Sequence, residues 1–308
     1  MRNAIQIICT GITAAVLMFS SGLTAFADTS GSHYPYGGEG VKAASVPPSG
    51  FHYRTYNTFY HPSTLRDNNG DQLDIGFDLD VFSSLHRFIH VTKHKILGGD
   101  FFYNVIVPLV NKDFDIDASG ISDSQGLGLG DIVFEFAGLG WHMDRYDFTV
   151  ALAVITPTGE FDEMHPASLG LGYWSGMLTL GATAYFDGAK TWSFSALTRT
   201  LVHTEQEDTD ITPGSEFVVE YGLGKEFATT DKLLVRPGIS GCSYWQITDD
   251  SGKNSNDNRK QSHAIGAEIN FFWLPPTLFQ VNLRVLQDYS VKNGPEGSQI
   301  VVTLTKSW

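Results

Sequence analysis

IVVTLTKSW, residues 300–308, closes the chain. Read in steps of two, Ile300, Val302, Leu304 and Trp308 share one side of an extended strand, and Thr303, Thr305 and Ser307 share the other. Only Lys306 interrupts the apolar side. An edge strand in water leaves a row of backbone groups unpaired, and terminal residues fray unless something holds them. A closed barrel at a membrane interface answers both needs. The last strand pairs with the first, Trp308 sits among headgroups, and Lys306 lies close enough to the interface to snorkel.

The same alternation starts at Gly50 and continues to the end. Phe148, Val150, Leu152 and Val154 oppose Thr149, Ala151 and Ala153. Phe217, Val219, Tyr221 and Leu223 oppose Val218, Glu220, Gly222 and Gly224, and Phe279, Val281, Leu283 and Val285 oppose Gln280, Asn282 and Arg284. The pattern predicts about twelve strands, near 50–60, 73–91, 97–112, 130–141, 146–156, 172–186, 191–203, 214–227, 233–247, 261–273, 277–289 and 298–308. Short connections (HVTKHKILGG, HMDR, FDGAK, ATTDK, LPPT) alternate with long ones (HPSTLRDNNGDQ, KDFDIDASGISDSQGLG, TPTGEFDEMHPASLG, HTEQEDTDITPG, TDDSGKNSNDNRK, SVKNGPEG). An even strand number with short turns at one end and long loops at the other predicts an all-β fold, an antiparallel transmembrane β-barrel of a Gram-negative outer membrane. Both chain ends then lie on the periplasmic side.

Residues 1–27 read as a cleaved secretory signal: Arg2, an apolar run from Ile5 to Phe19, then Ala25-Phe26-Ala27 before Asp28. Residues 28–49 are rich in Gly, Ser and Pro without a period, and residues 50–308 form the barrel. Formal charge is −14 for the whole chain; without the signal and its single arginine it becomes about −15, which excludes a nucleic-acid partner. Cys9 leaves with the signal, so Cys242 has no partner for a disulfide. No segment after the signal reads as a membrane helix.

The tryptophans give an independent check. Trp141, Trp192, Trp273 and Trp308 fall at strand ends beside short turns or the terminus, and Trp174 and Trp245 beside long loops. Two aromatic girdles predict that distribution, whereas a soluble sandwich places its tryptophans in strand centres.

Projecting the alternation inward gives Arg54, Asp78, Asp80, Glu135, Arg199, Glu220, Arg236, Glu268 and Arg284 as pore-lining residues. Acids and bases nearly balance, as charges inside a narrow barrel must pair or stay wet. Two readings remain open on side chains alone, a polar pore with ion-pair constrictions and a structural network filling a closed barrel. A barrel of about eight strands is just filled by its side chains, so about twelve leave room for water or an insert. Residues 28–49, stiffened by Gly-Gly and Pro-Pro pairs, are the expected insert. Catalytic motifs are missing: the histidines are scattered, with neither HExxH nor Gly-x-Ser-x-Gly, and GLGLGDI precedes a strand, unlike a phosphate loop. His86, His90 and His94 would form a metal face only on a helix, and alternation argues for a strand there. No cofactor, metal or energy-coupling element is legible, and the expectation is a channel, not an enzyme.

In order along the chain, YPYGGEGVKAASVPPSG, VTKHKILGGDFFYNVIVPL, GLGLGDI with LGW, TPTGEFD, GLGYWSGMLTLGATAYFDG and NGPEGSQ resemble the outer-membrane channel family named for the meta pathway of phenol degradation. No one piece is specific; the ordered set is. Departures are Lys306 in the closing strand and His94, where an aromatic is more usual. The resemblance implies a twelve-stranded barrel whose N-terminal segment folds into the lumen, with Tyr34, Pro35, Tyr36, Gly37, Gly38, Pro47 and Pro48 as the luminal insert. It also implies uptake of small, often aromatic or hydrophobic compounds. The partners expected are therefore membrane lipid, a small-molecule solute and the outer-membrane assembly machinery, the last through the C-terminal strand. The alternatives are a barrel enzyme acting on lipid and a closed structural barrel.

Overall fold

A computed structural model describes residues 32–253, 255 and 257–308; the expected signal at 1–27 lies outside them. Twelve strands form one closed antiparallel barrel: β1 (Gly50–Arg66), β2 (Phe77–Ile96), β3 (Gly99–Ile116), β4 (Val133–His142), β5 (Tyr146–Ile155), β6 (Ser175–Tyr185), β7 (Trp192–His203), β8 (Glu216–Lys225), β9 (Leu233–Gln246), β10 (Gln261–Trp273), β11 (Phe279–Lys292) and β12 (Gly294–Ser307). Each pairs with its sequence neighbours, and β12 closes on β1 in a register running from His52 opposite Ser307 to Arg66 opposite Gly294. The Trp308 amide donates to Phe51 O at 3.0 Å, so the terminal residue is held by the closing pair.

The outer face is the apolar one. On β5, Tyr146, Phe148 and Leu152 are exposed while Asp147, Thr149, Ala151 and Ala153 are buried; on β8, Leu223 is exposed and Glu216, Val218 and Glu220 are buried. That inversion of the soluble pattern is satisfied by lipid. Trp174, Trp192 and Trp308 are exposed outside the wall. Trp141 donates from its indole to Leu97 O at 3.1 Å, placing it at the short-turn end.

Two connections differ from expectation. The ten-residue turn predicted at HVTKHKILGG is a two-residue hairpin in which Leu97 and Gly98 both have positive φ (51° and 78°), as a type I′ turn requires. The long loop expected at SVKNGPEG is a tight turn at Asn293. There β12 runs on along β1, where Pro295 lies opposite Leu65 and Arg66 bonds Glu296 at 2.8 Å.

β1, β2 and β3 are the longest strands and rise highest at the long-loop end, where residues Ile121–Leu129 also pair with β3. Inside this extension Leu65, Phe77, Leu79, Phe114 and Ile116 form an apolar cluster. Asp78 and Asp80, expected in the pore, instead face outward, with Asp80 bonded to the exposed His61 at 2.7 Å. Above the membrane the outside is water, so acids belong there and phenylalanines belong within.

Candidate functional site: the occupied lumen

Residues 32–48 run inside the barrel, and most of the inward charges hold them. Glu220, on β8 and fully buried, accepts from the Gly37 and Glu39 amides at 2.9 Å each and from the Tyr34 hydroxyl at 2.7 Å. Its counter-charge is Arg199 of β7, whose guanidinium also lies 4.0 Å from the centre of the Tyr34 ring. Glu268 of β10 pairs with Arg284 of β11 at 3.1 Å and accepts the Val41 amide, while Arg284 donates to Gly37 O and Gly38 O at 3.0 and 2.6 Å. Arg236 of β9 reaches Val41 O and lies 3.6 Å from Glu226, which also binds Lys42. These carboxylates and guanidiniums satisfy the backbone of a segment whose own backbone bonds are confined to turns, Ala43 N to Gly40 O and Ser45 N to Lys42 O at 3.1 Å each.

Shape complements charge. An added Cβ on Gly140 would meet Val46, one on Gly181 would meet Leu197 and Ala44, and those on Gly222, Gly224 and Gly238 would meet residues 40–41 or, for the last two, also the wall backbone. The inward glycines of β4, β6, β8 and β9 therefore leave the room the insert occupies. Of the other expected insert residues, Tyr36 stacks on Tyr244 with ring centres 5.1 Å apart, and Pro48 O accepts from His52 at 2.8 Å. Pro35 lines the cavity described below and Pro47 a smaller crevice.

Four groups escaped the sequence reading. Glu39, in the insert, sits between Arg54 of β1 (3.6 Å) and Arg87 of β2 (3.5 Å), and Arg87 also pairs with Glu135 of β4 at 3.1 Å. Arg87 stands on the opposite parity of β2 from Asp78 and Asp80, so the phase that turns those two acids outward brings Arg87 inward. The third is the outer end of the insert, where His33 contacts Asp131 at 2.9 Å and Ser175 at 2.7 Å. The order Ser-His-Asp is that of a hydrolase relay. Here Ser175 is buried, bonded to a second imidazole, His203, at 2.7 Å, and Asp131 is further used by the Gly159 and Leu171 amides at 2.8 Å, so the arrangement pins the insert. The fourth is Lys42 with Glu226. Nothing in the periodicity marks these contacts, because their members lie far apart in sequence or in an aperiodic segment. His86 and His90 lie on strand β2, bonded to Tyr53 (2.6 Å) and Tyr103 (2.9 Å).

On the long-loop side of the insert a cavity of about 220 Å³ opens. Tyr34, Pro35 and Tyr36 of the insert line it, with Tyr60, Phe77, Leu79, Phe114, Cys242, Tyr244 and Asp288 of the wall. A crevice of about 70 Å³ among Glu39, Arg54, Arg87, Glu135 and Arg199 lies beside the insert's polar stretch.

Residues 63–304 match the family described as "Putative MetA-pathway of phenol degradation". The chain belongs to this family. Its fold is that of an outer membrane channel from Pseudomonas putida F1, with a TM-score of 0.73 at 14% identity over 90% of this chain and 100% of that one. Two weaker likenesses are the beta domain of the Bordetella autotransporter BrkA and the translocator domain of autotransporter NalP from Neisseria meningitidis. Each has a TM-score of 0.48 at 10% identity; they cover 84% and 97% of this chain, and 99% and 98% of their own. No curated protein sequence matches the chain. This member of the family thus has the outer-membrane barrel with its lumen occupied by its own N-terminal segment.

Proposed function

We propose that this protein is an outer-membrane channel for passive uptake of small hydrophobic or aromatic compounds, narrowed by the luminal segment of residues 32–48. The observation that carries the reading is the aromatic-walled cavity of about 220 Å³ on the outer side of an insert held by paired charges. A dry cavity of about 150 Å³ already accepts benzene, so a single ring fits. The family's phenol-degradation description and the channel from Pseudomonas putida F1 support the same direction. Solute would enter from the long-loop side, dwell against the tyrosines, and pass the insert where Arg54, Arg199, Arg236 and Arg284 oppose the luminal acids. The closing strand, ending at Trp308, is the part offered to the assembly machinery of the outer membrane. In this reading binding and diffusion suffice, with no catalytic step.

The test is ionic conductance of the purified mature protein in planar bilayers beside a form lacking residues 28–48. A small conductance that grows on truncation supports a channel narrowed by the insert. Silence from both forms, with folding shown by heat-modifiable gel mobility, refutes an ion-conducting pore and favours the closed structural barrel.

A further inference from the structure

Ser175 stands between two buried imidazoles. Its Oγ lies 2.7 Å from Nδ1 of His33, at the outer end of the insert, and 2.7 Å from Nδ1 of His203, at the end of β7. The row continues on both sides: His33 Nε2 is 2.9 Å from Asp131 Oδ2, and His203 Nε2 is 3.8 Å from Glu216 Oε1 of β8. Tyr173 meets both imidazoles edge-on, with ring centres 4.8 and 5.1 Å away, and the side chains of His33, Asp131, His203 and Glu216 are no more than 5% exposed. The other groups facing the row are Ser32 and Tyr244, which donate to Glu216, and the Gly159 and Leu171 amides, which donate to Asp131. Lys112 of β3 acts on Asp131, and Lys260, before β10, acts on His203.

Each contact in the row needs one proton. A hydroxyl supplies one and a neutral imidazole one, so with both rings neutral the four contacts share three protons and one contact stays bare. The long separation falls between His203 and Glu216, and His203 Nε2 has no hydrogen-bond partner among the described residues. One more proton completes the row: His33 donates from both ring nitrogens, the Ser175 hydroxyl turns to His203 Nδ1, and His203 presents Nε2–H to Glu216. Without the insert the shortage disappears, because Ser175 and His203 then have two protons for the two contacts that remain. We propose that the outer end of the insert is a proton-operated latch, in which seating His33 against Ser175 takes up one proton from solution. The seated state binds one proton more than the unseated state, so seating is favoured as pH falls and loosened as pH rises. The inference concerns how the insert is held and stands whether or not the lumen conducts.

Cys242 reports the seating, because it is buried where Tyr36 of the insert packs against its cluster. The experiment is the rate at which a maleimide too large for the neighbouring cavity labels Cys242 in the purified mature protein, set against the rate in the form lacking residues 28–48 at the same pH, so that ionisation of the thiol cancels. The range from about pH 8 to about pH 5.5 brackets the ordinary titration of an imidazole. The expected result is protection that grows about tenfold across that range in wild type and stays within about twofold in His33→Gln and in Ser175→Ala. Ser175→Ala keeps both imidazoles and both carboxylates and removes only the hydroxyl that joins them, so it separates the joined row from two histidines titrating alone. Protection that is constant or falls in acid in wild type overturns the latch, and so does a full pH response in either variant. Silent bilayers beside pH-linked protection keep the latch and refute the channel; conductance beside pH-independent protection does the reverse.

Discussion

Adding one methyl group at Gly222 tests whether the insert narrows the lumen. The Cβ of an alanine there would lie 2.4 Å from the Val41 amide nitrogen and 2.6 Å from the Gly40 carbonyl carbon, both backbone atoms of the insert, whereas ordinary contact begins at 3.4 Å. Residues 40–41 must therefore retreat by about 1 Å. A retreat of that size disturbs the bonds these residues make, the 3.2 Å bond from the Val41 amide to Glu268 first and the 3.4 Å bond from Arg236 to Val41 O with it. A hydrogen bond to a charged group contributes about 1.5–3 kcal/mol, and overpacking costs about 1–3 kcal/mol. Together they set about 3–6 kcal/mol against the seated insert, a shift of about two to four orders of magnitude in the seated-to-unseated ratio.

The wall itself is not strained, because alternate β8 residues already carry inward side chains, Val218 and Glu220 among them. The assay is single-channel conductance of Gly222→Ala between two controls. One is the form lacking residues 28–48; the other is Gly188→Ala, whose new methyl has nothing within 4 Å. The expected conductance of Gly222→Ala lies above wild type and below the truncation, since the Tyr34 and His33 contacts still hold the far end. A truncated form that conducts freely beside a Gly222→Ala protein indistinguishable from wild type would refute the reasoning.

Arg199→Ala leaves Glu220 buried with its charge unopposed and is expected to lower barrel stability by about 3–5 kcal/mol, read as a fall in the temperature at which gel mobility changes. Replacing both Arg199 and Glu220 by Met and Gln costs less than the single change. Arg284→Ala acts likewise through Glu268 and, by removing a luminal positive charge, shifts reversal potentials toward cation selectivity; unchanged selectivity after both arginine substitutions would remove them from the constriction. Asp187, in the β6–β7 turn, accepts from the Trp192 amide and the Thr191 hydroxyl at 2.8 Å each, and these bonds, the backbone amides first, hold its carboxyl below the ordinary 3.8. A depressed folded value means the stabilisation is present above the unfolded pKa and lost as pH falls through the folded one. Asp187→Ala should therefore lower thermal stability at neutral pH and match wild type in strong acid, and an equal deficit at both would dismiss the turn carboxylate.

The barrel was legible because lipid imposes one rule on most of the wall: apolar outside, small or polar inside. β5, β8 and β11 obey it along their membrane-spanning lengths, so their inward residues, Glu220 and Arg284 among them, followed from parity alone. β2 obeys it only in part. Its odd positions run inward from Phe77 to Val91, but the strand begins above the membrane, where Phe77 and Leu79 pack inside against Phe114 while Asp78 and Asp80 meet water. Alternation states which residues share a face; the solvent on each side decides which face is inner, and here that solvent changes partway along one strand. The marker was present at Arg87, which stands on the same face as Phe77 and has no place in lipid. The membrane half of β2, where Phe82 and Phe88 flank His86 on the outer face, sets the phase that places both acids outward and Arg87 inward. Phasing tall strands from the residues between the girdles, and extending the parity outward afterwards, is the physically sound order, because only there is the surrounding solvent fixed.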